Sequence, residues 1–164
     1  MSDFFVTGPF EVPVTTERKS RFVEKTGLNE FWSQAGISQK RGGYVFAMRT
    51  GRGILPWYVG KTGRQVFRAE CFTDNKLLRY NQCLVRAGRP VMFFVVLKAS
   101  RGRANLNSIR LLERFLIQVA HVRNPRIKNV QVICNDRWGI DGVLLSDRVR
   151  PSKSAQTFKQ MIGL

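Results

Sequence analysis

Tyr44, Tyr58, Lys61, Arg64, Arg68 and Glu113 are the side chains whose types and spacing could act on a phosphate ester. The first five fall in one stretch, YVFAMRTGRGILPWYVGKTGRQVFR, from Tyr44 to Arg68. A phenol can orient or deprotonate a water, ammonium and guanidinium groups can neutralise phosphate oxygens, and a carboxylate can hold a divalent cation. Glu113 lies on the apolar side of a helical pattern, close in angle to Ile109, Leu116 and Ala120. Arg110, Arg114, Gln118 and His121 fall on the other side. A carboxylate so placed must be paired, metal-bound or protonated, because an unpaired buried charge is costly. A structural ion pair with Arg68 or Arg64 is the plain alternative to a functional role.

The elements that must position these groups follow from the pattern. Tyr44-Val-Phe-Ala-Met reads as a strand, Thr50-Gly-Arg-Gly as a turn, and Ile54 to Val59 as the returning strand. Pro56 marks that strand as irregular or at an edge. Val66 to Val85 reads as helical with a break near Thr73-Asp74, and Gly88-Arg89-Pro90 is a firm stop. Val91 to Leu97 is apolar without alternation, as expected of a strand buried on both faces. Residues 106–123 form a helix capped by Asn105 and ended by Asn124-Pro125, and Val130 to Cys134 reads as a short strand. Pro151-Ser152 opens a last helix with Ala155, Phe158 and Ile162 on its apolar face. Ahead of these lie extended pieces at Phe4 to Val6 and Phe10 to Val14, and a short helix near Leu28 to Ser33 capped by Asn29 with Glu30 in its first turn. The expected class is α+β, with a small three-stranded mixed or antiparallel sheet flanked by helices. The expected division is an N-terminal extension over 1–41 packing on the body, a core over 42–130, and a C-terminal extension of strand plus helix over 131–164.

The chain has 164 residues, 43% of them hydrophobic, which suits one domain with its own core. No apolar run approaches the ~20 residues of a membrane span, and the N-terminus lacks a basic-then-apolar signal, so a soluble cytoplasmic protein is expected. Cys71, Cys83 and Cys134 are few and far apart and His121 is the single histidine, which argues against zinc sites and disulfide frameworks. Twenty-eight Lys and Arg against eleven Asp and Glu give a net charge of +17, with a pI of about 11.1. Such an excess attracts polyanions. The cations are dispersed along the chain, as on a folded surface that tracks a nucleic-acid backbone. No basic amphipathic helix with a bulky apolar face suggests a membrane partner.

Taken together, Tyr44-Val45-Phe46, eleven intervening residues, Tyr58-Val59-Gly60, an arginine eight positions after that glycine and a glutamate in a later helix resemble the GIY-YIG nuclease superfamily. The resemblance covers roughly residues 43–130. It implies catalytic roles for Tyr44, Tyr58, Lys61, Arg68, Glu113 and Asn129, with Asn124 competing for the asparagine. It also implies one Mg2+ (or Mn2+) on Glu113. Arg49, Arg52, Arg64, Lys76 and Arg79 would contact nucleic acid. Phe46 stands where the family has its first tyrosine, so Tyr44 must substitute or the register must shift. Phe72 stands where members often place a histidine or tyrosine, with Tyr80 and His121 as replacements.

The implied activity is metal-dependent endonucleolytic cleavage of double-stranded DNA, restriction-, mobile-element- or repair-like, with a homodimer cutting both strands. Tyr58 would orient or deprotonate the water, its pKa lowered by neighbouring cations, and Arg68 would stabilise the transition state. The competing readings are a catalytically weakened nucleic-acid-binding module on the same scaffold, and an RNA-binding protein supported by charge alone.

Overall fold

In a computed structural model, residues 3–98, 105–129, 140–143 and 151–164 are described. In chain order the elements are β1 (Phe4–Glu11), β2 (Val14–Glu17), β3 (Ser20–Val23), α1 (Leu28–Ala35), β4 (Gly42–Thr50), β5 (Gly53–Lys61), α2 (Phe67–Glu70), α3 (Asp74–Leu84), β6 (Arg89–Leu97), α4 (Leu106–Arg123) and α5 (Lys153–Ile162). The class is α+β. One sheet has the order β1-β6-β4-β5, with every neighbouring pair antiparallel, and β2-β3 form a separate hairpin.

The expected sheet of three strands is therefore corrected to four. The added strand is β1, which runs along β6 from Phe4 opposite Leu97 to Glu11 opposite Val91. Gly8-Pro9 splits this segment into two pieces in the sequence pattern. The structure carries one strand through it by shifting register between Thr7 and Phe10. The N-terminal segment thus completes the sheet.

Strand alternation builds two cores, one on each face. Val45, Ala47, Val59, Val91, Phe93 and Val95 meet α4 and α5 through Ile109, Leu112, Leu116, Phe158 and Met161. Tyr44, Phe46, Met92, Phe94 and Val96 meet an aromatic cluster from α1 to α3 that includes Trp32, Phe67 and Tyr80. The unbroken apolar run of β6 follows from this double burial. Helix α4 lies close on β4 because Gly43 has no side chain. A Cβ there would stand 3.1 Å from Leu112 and 3.2 Å from Leu116.

Asn105 caps α4 by accepting from the N–H groups of Asn107 and Ser108, and Ser152 caps α5 by accepting from Ala155 N at 3.1 Å. Asn29, expected as the cap of α1, sits inside that helix, which Gly27 precedes without a side-chain cap. The helical stretch after β5 breaks over 71–73, and the register shift opposite Phe46 and Ala47 leaves Trp57 as the extra residue beside Pro56. Cys71 and Cys83 are buried free thiols. The expected strand Val130–Cys134 lies outside the described residues.

Each border of the sheet is covered along part of its length. Along β5, Asn124 donates to Pro56 O at 2.7 Å, Lys128 N donates to Trp57 O at 3.0 Å, and Asn129 both accepts from Val59 N and donates to Val59 O. On the far side, Phe4 of β1 bridges Ile140 and its carbonyl accepts from Asp141 N. Among the described residues no helix is long and apolar enough to cross a membrane.

Candidate functional site

The β4–β5 pairing sets Tyr44 opposite Gly60 and Phe46 opposite Tyr58. Gly60 is required by that register. A Cβ there would lie 2.2 Å from Tyr44 Cζ and 2.3 Å from its hydroxyl oxygen, so the Tyr44 ring rests directly on the glycine backbone. Tyr44 is wholly buried and stacks on Tyr58 with ring centroids 6.4 Å apart at 30°. Lys76 Nζ stands 5.6 Å from the Tyr44 centroid. The Tyr44 hydroxyl lies near Tyr80 but closes no hydrogen bond of good geometry.

Tyr58 is the phenol that reaches solvent. It faces a hollow lined by Glu70, Lys76 and Arg79, with Thr73, Asn75 and Gln82 around the rim. Its pKa is raised, by burial first and by the Glu113 carboxylate next, with Arg79 pulling the other way. The expectation that neighbouring cations lower this pKa is thus corrected: two carboxylates, Glu113 and Glu70, act on the phenol as well as Arg79. Tyr58 is protonated at neutral pH, so its hydroxyl is able to donate a hydrogen bond.

Lys61 ends β5 and its ammonium forms an ion pair with Glu113 Oε2 of α4. The side chains are 35% and 13% exposed, so the pair is sheltered but open on one side. The sequence suggested Arg68 or Arg64 as an ion-pair partner for Glu113; the partner is Lys61. Alternation turns Lys61 to the α4 face and Tyr58 to the other face, and β5 is an edge strand. The Glu113 charge reaches Tyr58 around that edge.

The remaining predicted residues divide. Arg68 is exposed on α2 and donates to Asn29 Oδ1 of α1 at 2.9 Å, so the guanidinium acting on Tyr58 is that of Arg79. Asn129 is clamped on the backbone of Val59, and Asn124 on that of Pro56; each holds β5 from outside. Lys76 is paired with Glu70 at 2.8 Å. Arg64 is exposed just beyond Lys61. Arg49, 3.8 Å from Glu11, and Arg52 lie at the turn end of the hairpin. That end is roughly 25 Å of strand from Lys61.

The two phenylalanines that depart from the family pattern have structural places. Phe46 is buried in a parallel stack on Tyr80, with centroids 4.4 Å apart at 10°. Phe72 packs edge-on to Phe31, Trp32 and Tyr80. Tyr80 offers no free hydroxyl in exchange, since it donates to Cys71 O at 2.8 Å and is wholly buried. His121 lies two turns along α4 from Glu113, with Nδ1 buried and unpartnered among the described residues.

Sequence reasoning missed Glu70, whose carboxylate opposes Arg79 at the phenol. Nothing in the basic stretch around it signals that placement. Among the described residues no cluster of three or more His, Cys, Asp or Glu side chains could form a metal cage. A single carboxylate can still suit Mg2+, which keeps most of its water. Glu113 fits that role in part: one oxygen is taken by Lys61, and the group is open to solvent on one side. No protein-family model matches the chain, and no curated protein or solved structure compared with it is significantly similar.

Proposed function

We propose that this chain is a metal-dependent endonuclease that hydrolyses phosphodiester bonds in double-stranded DNA, working at the β5 edge. The observation that carries the reading is Glu113. It is a carboxylate on the apolar side of α4, ion-paired with Lys61 yet open on one side, and its charge is felt by a solvent-facing phenol. A +17 chain brings a polyanion to such a site.

Glu113 would hold a hydrated Mg2+, which when bound supplies charge stabilisation for the departing 3′ oxygen. Lys61, ion-paired with Glu113, sets an ammonium beside the incoming phosphate. Tyr58, with its proton in place, donates a hydrogen bond that orients the attacking water or a non-bridging oxygen. Arg79, which lines the Tyr58 hollow, would stabilise the added negative charge at phosphorus. Water adds as the P–O3′ bond breaks, giving a 5′ phosphate and a 3′ hydroxyl. Restriction-like, mobile-element-like and repair-like roles all suit a core that reads little sequence.

Supercoiled plasmid incubated with Mg2+ and with EDTA tests the reading. Nicking that needs the metal and vanishes in Glu113→Ala, with DNA binding kept, supports it. Wild-type-like cleavage by that variant overturns the metal role. The second reading, a binding module without catalysis, is favoured by Phe46, which puts a ring stacked on Tyr80 where the family has a tyrosine. Its signature is a salt-sensitive gel shift with no cutting under either condition.

A further inference from the structure

Arg18 and Lys19 make the two-residue turn between β2 and β3 and have φ of 46° and 71°. Among the described residues they are the non-glycine residues with positive φ. A two-residue turn with both φ positive is type I′, which favours Asn-Gly because a side chain there meets steric resistance. Turn stability gives no reason to choose Arg-Lys. The chain accepts that strain and sets two like charges side by side at an exposed tip, where neither has an ion-pair partner among the described residues. An observed backbone outlier of this kind is grounds for a functional hypothesis.

The tip stands on a stiff mount. Arg21, two residues beyond the turn, donates to Leu84 O at 2.9 and 3.1 Å, to Gly88 O at 2.6 Å and to Arg86 O, which fastens β3 to the C-terminal end of α3. Val23 N adds a bond to Asn81 Oδ1 at 3.0 Å. The N-terminal half of the same helix carries Lys76 and Arg79, which line the Tyr58 hollow. Eleven helical residues span about 16 Å.

We propose that the β2–β3 hairpin, fastened to the helix that lines the Tyr58 hollow, is a preformed basic prong that seats Arg18 and Lys19 on the phosphate backbone of duplex nucleic acid. This rests on the nucleic-acid reading above but not on cleavage. The test is Arg18→Asn with Lys19→Gly, the pair the turn itself prefers, measured by anisotropy of a labelled duplex over a salt series in EDTA. The variant should melt at or above the wild-type temperature. Its slope of log affinity against log salt should shrink by about 1.8, two contacts at ~0.9 each. The charge-keeping swap Arg18→Lys with Lys19→Arg should retain the slope. A lower melting temperature for the Asn-Gly variant, or an unchanged slope while wild type binds, overturns the prong. A wild type with no salt-dependent binding overturns the nucleic-acid reading along with it.

Discussion

Tyr58 shows how a single environment decides a role. Burial and the Glu113 carboxylate raise its pKa, so it cannot serve as a base near neutrality. Turnover of Tyr58→Phe relative to wild type should therefore stay at one reduced ratio between about pH 6 and 9; a deficit that grows with pH would identify a base after all. All three tyrosines of the chain, Tyr44, Tyr58 and Tyr80, are shifted upward, chiefly by burial. A phenol whose pKa is higher folded than unfolded gives stability that is complete below the ordinary value near 10 and is lost as pH rises from there through the raised folded value. Absorbance at the phenolate band should show little ionisation near that ordinary value, then a rise coincident with loss of circular dichroism. Titration of three free phenols near pH 10 in a folded chain would refute this. The two arginines can also be separated. Arg79→Ala should lower turnover by roughly 10²–10³ if it stabilises the transition state, whereas Arg68→Ala should cost much less. At this scale the sequence signalled Glu113 through its place on an apolar helix stripe. It could not show that Arg68 would be taken by Asn29, because that bond joins residues 39 apart.

At the scale of elements, the site depends on an edge strand held from both sides. Gly60 lets the Tyr44 ring lie on the β5 backbone, and Asn129 grips the same strand one residue earlier. Gly60→Ala would force ring or strand to move and should cost about 1–3 kcal/mol, read as a lower denaturant midpoint. Asn129→Ala strands the N–H and C=O of Val59 and should cost a similar ~1–3 kcal/mol. If Asn129→Ala left stability unchanged but abolished cleavage, the residue would belong to the chemistry instead. Helices α3 to α5 and strand β6 were legible because their apolar periodicity, caps and breakers agree. The fourth strand was not, since Gly8-Pro9 hides a continuous partner for β6 behind a local turn signal. The clamp on β5 was equally hidden, because Asn124 and Asn129 announce a helix end and a loop, not the strand they bind.

For the whole molecule, charge dominates. A net +17 on 18.8 kDa repels itself in the folded state, so screening or an added polyanion should stabilise it. The melting temperature should rise by several degrees on going from low salt to heparin or sulfate; no response would mean that ion pairs such as Lys25–Asp74 and Lys98–Asp141 already neutralise the fold locally. The net charge was legible from composition alone, whereas the placement of Lys61 beside Glu113 and of Arg79 at the Tyr58 hollow required the fold. The covered margins of the sheet carry a further consequence, for assembly. A sister copy finds no vacant rung at Pro56 to Val59 or at Phe4 on which to extend the ladder, so neither pairing nor fibrous stacking can begin at those positions. Any contact between two copies would form elsewhere than at those rungs. On the proposed nuclease reading, copies acting singly would sever each strand in its own encounter, and relaxed circles would build up before linear molecules emerge.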